Sequence, residues 1–267
     1  MRASFPALVA ALLSLSCGEE NQHPPSADPC DPATMNCDKP PLSGGGPTTP
    51  GQGGADSGGD QTGTATGRVL QYTDDFFDDG VTYARPAKVS AMGDSSARVS
   101  DDYEGASFEL EDVLKTASNW FMVEPEADSG MLPTITPIDT RLRINDLGVG
   151  LASERLIDGI FQQSLASTER STARAQIVMR VVDTKGSALA GVQAALTTEL
   201  IAYRDGDTWL TEAIATDESG LVFFGNVAAS VALTPVKIAL TGAVKAQVDV
   251  TIAAGATTIV NAVVAAP

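Results

Sequence analysis

Residues 18 to 66 are Gly, Pro, Ser, Thr, Asp and Gln with hardly a large apolar side chain, and this limits what the chain can fold into. Runs such as Gly44-Gly45-Gly46-Pro47 and Gly53-Gly54-Ala55-Asp56-Ser57-Gly58-Gly59 cannot bury enough surface to offset the entropy of ordering the backbone. A disordered tether is therefore expected here, with a root-mean-square span of roughly 40 Å if it behaves as a coil. The folded body is expected from about Thr66 to Pro267, which is enough chain for two small cores.

Ahead of the tether, Phe5 to Leu15 is almost wholly apolar behind a positive Arg2, and Ser14-Leu15-Ser16 offers small residues near a cleavage point. The run is too short for a hydrocarbon layer of roughly 30 Å. Residues 1–16 are therefore expected to be a signal peptide and 17–66 the tether. Leu13-Ser14-Leu15-Ser16-Cys17-Gly18 resembles the lipobox of bacterial lipoproteins, whose cysteine is diacylated. That resemblance implies lipidation at Cys17 and a lipid-anchored place in a bacterial cell envelope. The pattern departs from the family at Ser14, where an aliphatic residue is usual, and at Leu15, where a small one is. Cleavage after Ser16 with full secretion is the other reading.

Three cysteines occur and none lies beyond Cys37. If Cys17 carries lipid, Cys30 and Cys37 remain as an even pair in an oxidising compartment, and a disulfide between them would clip the loop 31–36. Two thiols and His23 make a weak metal set, so no metal is expected there.

Beyond the tether the texture is β. Val236, Ile238 and Leu240 alternate with Lys237 and Ala239, and Val244, Ala246, Val248, Val250 and Ile252 alternate with Lys245, Gln247, Asp249 and Thr251. A period of two describes strands with one buried and one wet face. Ala254-Gly255 then reads as a turn into a last strand over 258–264. Between the halves, Leu151 to Ala166 is the best helix candidate, with Ile157, Phe161 and Leu165 on one stripe beside Leu156 and Ile160. A linker helix is the plain reading, and a partner-binding helix the other.

A repeat relates the two halves. Val99-Ser-Asp-Asp102-Tyr-Glu-Gly105-Ala-Ser-Phe108 corresponds to Ile214-Ala-Thr-Asp217-Glu-Ser-Gly220-Leu-Val-Phe223. In each, Asp-x-x-Gly suits a tight hairpin: Asp accepts from backbone N–H groups just ahead, and Gly takes a positive φ without a steric cost. Upstream, Val181-Val-Asp183-Thr-Lys-Gly186-Ser-Ala-Leu189-Ala-Gly191-Val192 reads as strand, turn, strand. Together these motifs resemble the carboxypeptidase regulatory-like family, which implies a prealbumin-like β-sandwich. The second copy matches well, and the first opens instead on the longer Tyr72-Thr-Asp-Asp-Phe-Phe-Asp-Asp-Gly80 insertion. The resulting expectation is an all-β body of two tandem prealbumin-like sandwiches, 67–145 and 174–267, joined by a linker with a short helix, 146–173. The resemblance carries no catalytic residue with it.

Chemistry is sparse. His23 is the one histidine, so the body lacks an imidazole for a Ser-His-Asp system or the usual zinc sites. Gly93-Asp94-Ser95-Ser96 reads as a polar loop. Carboxylates are plentiful, but no pair is marked as convergent in the way glycoside hydrolysis needs. Acidic clusters at Asp74, Asp75, Asp78 and Asp79, at Asp101, Asp102 and Glu104, and at Asp205, Asp207, Asp217 and Glu218 could offer oxygens to Ca²⁺, without EF-hand spacing. Solvated loop charge is the default for them. Trp209 follows Asp205-Gly206-Asp207-Thr208 and is the one weak ligand-binding candidate, as an exposed ring for a sugar or peptide, whereas Trp120 reads as core.

Removing Arg2, Lys39 and the seven acids before residue 67 from totals of 17 basic and 34 acidic residues leaves the body at net −12. Such a surface repels phosphate backbones and anionic lipid, which disfavours nucleic acid and peripheral membrane binding. The functional expectation is a non-enzymatic structural or interaction module without a cofactor, meeting the membrane through its lipid alone. A glycan- or peptide-binding surface protein, with an extracellular protein or glycan as partner, is the alternative, and a carboxylate-based hydrolase the second.

Overall fold

The computed structural model describes residues 62–91, 107–115, 118–141, 143–164 and 167–265. They are mostly strand, with one α-helix. The first half contributes β1 (Thr62–Tyr72), β2 (Gly80–Thr82), β3 (Ala87–Ala91), β4 (Ser107–Leu114), β5 (Asn119–Pro125), β6 (Met131–Leu132), β7 (Thr134–Ile138) and β8 (Leu147–Ser153). Helix α1 (Glu154–Gln163) follows. The second half contributes β9 (Ala175–Val182), β10 (Val192–Ala195), β11 (Leu200–Asp205), β12 (Thr208–Leu210), β13 (Leu221–Val227), β14 (Thr234–Gly242), β15 (Ala246–Ile252) and β16 (Thr257–Val263).

The two halves repeat one topology. In the first, β1 lies between β4, antiparallel, and β8, parallel. In the second, β9 lies between β13, antiparallel, and β16, parallel. Each half adds an antiparallel three-strand set, β3-β5-β7 in the first and β10-β14-β15 in the second. The Phe of each sequence repeat is buried on the strand that pairs with its half's opening strand, Phe108 on β4 and Phe223 on β13.

The halves are also hydrogen-bonded into one sheet. β7 pairs in parallel with β16, so one eight-stranded sheet runs β12-β11-β13-β9-β16-β7-β5-β3. Sequence alone suggests two separate sandwiches, but the free edge of β7 is satisfied by the last strand of the chain. Two further boundaries move. β1 begins at Thr62, inside the segment expected to be tether, and β8 lies in the expected linker although it is a strand of the first sandwich. The start of β1 is built from small residues, and Gly67 shows why one is required there. A Cβ there would stand 2.3 Å from the Leu147 carbonyl oxygen and 2.7 Å from the Phe108 ring. β8 instead buries Leu147, Val149 and Leu151 between its glycines.

Four buried clusters hold these layers, the smallest of them Ile135, Ala253 and Ala256 with Trp120, Met122 and Leu233 against it. Phe108, Phe121, Val123 and Val149 fill the first sandwich. Val222, Phe224, Ile238 and Val250 fill the second. The alternation in β14 is as the sequence reads it, with Ile238 and Leu240 buried and Lys237, Ala239 and Thr241 exposed. β13 is buried along its whole length, because Leu221 and Phe223 face away from the second core into a third cluster with Ile157, Ile160, Phe161 and Phe77. Helix α1 thus covers the outer face of the second half's sheet. Ser153 caps it by accepting from the Leu156 N–H at 3.2 Å. Leu165, expected on its stripe, lies outside the described residues.

Candidate functional site

Trp209 is fully buried, which corrects the expectation of an exposed ring. Its predecessors Gly206 and Asp207 form the turn of a hairpin in which Arg204 stands opposite Trp209 and Asp205 opposite Thr208. The indole packs edge-on to Phe223, and its Nε1–H donates to Asp75 Oδ2 at 3.1 Å. A ring held in this way is core and cannot serve as a binding platform.

Asp75 belongs to the insertion after β1, which folds onto the second half. Asp74 Oδ1 accepts from the N–H groups of Phe76 and Phe77 at 3.1 and 3.2 Å, turning the chain so that Phe77 takes a φ of 58°. Asp75 then reaches Arg204, whose guanidinium is 2.5 Å from Asp75 Oδ2 with its side chain only 2% exposed. The guanidinium also lies 3.8 Å from the centroid of Phe76 and donates from Nε to the Gly206 carbonyl at 2.9 Å. Arg180 completes the clasp by donating to Phe76 O and Asp78 at 2.9 and 3.1 Å. A buried arginine needs its charge matched, and Asp75 of the 74–78 loop supplies that while the Gly206 carbonyl takes the Nε–H; Arg204 Nη1 and Arg180 Nε are left without a hydrogen-bond partner.

The acidic clusters resolve into turn and clasp chemistry. Carboxylate oxygens of Asp74, Asp78 and Asp79 lie within 4.8 Å of one another. Two of the three are already engaged, Asp74 with backbone N–H groups and Asp78 with Arg180. Asp217 accepts from Ser219 N at 2.9 Å and from Gly206 N at 3.0 Å, and Gly220 donates to the Asp217 carbonyl with a φ of 70°. Asp183 repeats the pattern, accepting from Lys185 and Ser187, with Gly186 at φ 85°. The Asp183–Gly186 turn is the hairpin its motif describes, with Val182 bridged to Ala188, whereas Asp217–Gly220 is a turn into β13 that no strand enters, since residues 211–216 are not strand and Ile214 is exposed. Asp101, Asp102 and Glu104, the Gly93–Ser96 loop, Cys17, Cys30 and Cys37 all lie outside the described residues.

One concavity was not anticipated. A cleft of about 450 Å³ lies where Tyr72, Tyr83, Arg85, Met131 and the start of α1, Ser153 to Leu156, come together. Tyr83 is only 3% exposed, its ring belongs to the first core, and its hydroxyl has no hydrogen-bond partner. Burial pushes the Tyr72 phenol up to about 12, against a smaller pull from Thr136. Neither Arg85 nor Arg155 forms an ion pair among the described residues. A hollow on the other side of α1 differs in this respect, because its Arg170 is already 2.6 Å from Asp158. Two isolated arginines far apart in sequence gave no motif, so sequence reading passed them over.

No protein-family model matches the chain, and no curated protein matches it. Among solved structures, the TIE protein of Bacillus anthracis aligns over 77% of this chain and 34% of its own, at 9% identity and a TM-score of 0.22. The chain therefore spans about a third of that protein's length, and so low a score carries no argument.

Proposed function

We propose that the protein is a non-enzymatic module of a bacterial cell envelope. It is anchored by lipid on Cys17, and its two β-sandwiches, of the carboxypeptidase regulatory-like kind, serve structure or interaction. The observation that carries this reading is the engagement of the chemically capable side chains with one another. Trp209, Arg204, Asp75 and Phe76 interlock to join the halves, and the Asp183 and Asp217 carboxylates hold tight turns. The matching strand order of the halves supports a tandem of related domains. The lipobox-like sequence at Cys17 supports the anchor.

The test is mass spectrometry of the N-terminus from expressing cells, with fractionation of a Cys17→Ala variant. Diacylated Cys17, and release of the variant from membranes, is the expected result. An unmodified Cys17 with the wild-type chain free in the medium would overturn the anchor. A hydrolysis screen on chromogenic glycosides and esters should be blank. Turnover that a single carboxylate substitution abolishes would overturn the non-enzymatic reading.

A further inference from the structure

The cleft at the start of α1 has an unusual balance of donors and acceptors. The chain holds twice as many acidic as basic residues, yet no Asp or Glu lines this cleft. Of the nine described arginines, six sit in ion pairs and Arg68, Arg85 and Arg155 do not, and two of those three line it. Glu154, next to Arg155, is drawn instead to Arg170 at 3.5 Å. The helix N-terminus adds partial positive charge. Ser153 satisfies the Leu156 N–H and the Gly130 carbonyl the Glu154 N–H, leaving the Arg155 N–H with no partner among the described hydrogen bonds. The Tyr83 hydroxyl is a buried group with no hydrogen-bond partner, and leaving such a group unmatched is costly.

A set of unmatched donors at a helix start suits an oxyanion. The remaining lining is mixed: Gln71, Thr73, Ser129 and Ser153 are polar, while the Tyr72 ring, Met131 and Leu156 give one apolar side for a small organic body. The volume lies in the usual range for small-molecule sites, about 300–1,000 Å³. We propose that this cleft binds a small organic carboxylate. The carboxylate is held by Arg85, Arg155 and the N-terminus of α1, with the Tyr83 hydroxyl donating to one oxygen and the apolar body against Tyr72, Met131 and Leu156. The inference does not depend on how the chain is anchored.

Isothermal titration of the full-length protein with acetate, benzoate and N-acetyl-leucine tests it, with N-acetyl-leucinamide and inorganic phosphate as comparisons. Benzoate or N-acetyl-leucine is expected to bind, the amide to bind not at all, and phosphate to bind more weakly than either acid. The exposed pair Arg85→Ala/Arg155→Ala should weaken carboxylate binding by at least roughly tenfold, the loss expected for charge-assisted hydrogen bonds. Tyr83→Phe, which keeps the ring in the core, should weaken it by a smaller factor while circular dichroism stays unchanged. The proposal is overturned if none of the three acids binds, if the amide matches the acid, if phosphate binds tighter, or if the arginine pair can be removed without effect.

Discussion

Arg204 and Asp75, from opposite halves of the chain, meet with the guanidinium 2.5 Å from the carboxylate and the arginine side chain 2% exposed. Asp75→Ala leaves that charge buried without its partner. The expected loss is about 3 kcal/mol, at the low end for breaking a buried pair because Phe76 and the Gly206 carbonyl still face the guanidinium. In an Arg204→Met background the same Asp75→Ala change should cost only about 1 kcal/mol, for the orphaned Trp209 N–H. Urea denaturation of the four proteins measures the coupling. Additive losses would show that the pair does not join the halves.

Trp209 tests the same region through volume. Trp209→Ala removes a fully buried indole from between Phe223 and α1 and is expected to cost about 3–5 kcal/mol. Trp209→Phe keeps most of the packing and loses the bond to Asp75, so about 1–2 kcal/mol is expected. A Trp209→Ala protein with wild-type thermal stability would return this residue to the surface role that its loop-like sequence suggests.

Gly220 closes the turn that leads into β13. Its φ is 70°, and a Cβ would stand 2.6 Å from the Val181 carbonyl oxygen, which accepts from the Leu189 N–H, while the Gly220 carbonyl accepts from the Val181 N–H. Gly220→Ala should destabilise by about 1–3 kcal/mol, because backbone must move and the left-handed conformation is strained for alanine. Gly186→Ala has the same sign of φ but open space around it, so its loss should be smaller. Equal losses in thermal melts would mean that conformation alone, and not the close approach, sets the requirement.

Tyr72 gives the fold an alkaline limit. Burial raises its phenol from 10.0 to about 12 in the folded state. A raised acid contributes stability that is complete below pH 10 and is lost as pH climbs towards 12. Tyr72→Phe should therefore lose less stability than wild type between those pH values. Parallel decline of the two proteins would contradict the burial.

Local features of the fold were legible because their causes are local. The Asp183–Gly186 and Asp217–Gly220 turns follow from side-chain acceptors and positive φ, and the β14 alternation from one wet face, but the strand expected to enter the second turn is not formed by residues 211–216. Strands built from small residues were not legible. The start of β1 at Thr62-Gly63-Thr64-Ala65 has little apolar weight, and its place is set by what packs across it, whereas β8 carries a readable period of two in Leu147, Val149 and Leu151 that the linker reading passed over. The clasp was half visible: the 72–80 insertion stood out as a departure from its repeat, but its partner Arg204 carries no mark in sequence. Trp209 was misread because a two-residue hairpin turn and an open loop share the same residues, Gly and Asp. The β7–β16 pairing joins strands from the two halves, and no periodicity within either strand encodes it.

The central claim is that both sandwiches and their clasp act as one cooperative body. Each half contains one tryptophan, Trp120 on β5 and Trp209 on β12. Urea unfolding of Trp120→Phe and of Trp209→Phe compares the surroundings of the remaining tryptophan, by fluorescence, with the strands of the whole body, by far-ultraviolet circular dichroism; both rings sit where the halves meet, Trp120 against the second core and Trp209 against Asp75. The account predicts coincident fluorescence and dichroism midpoints within each variant. A fluorescence transition complete well before or after the dichroism change, in either protein, would contradict it and make the halves independent domains.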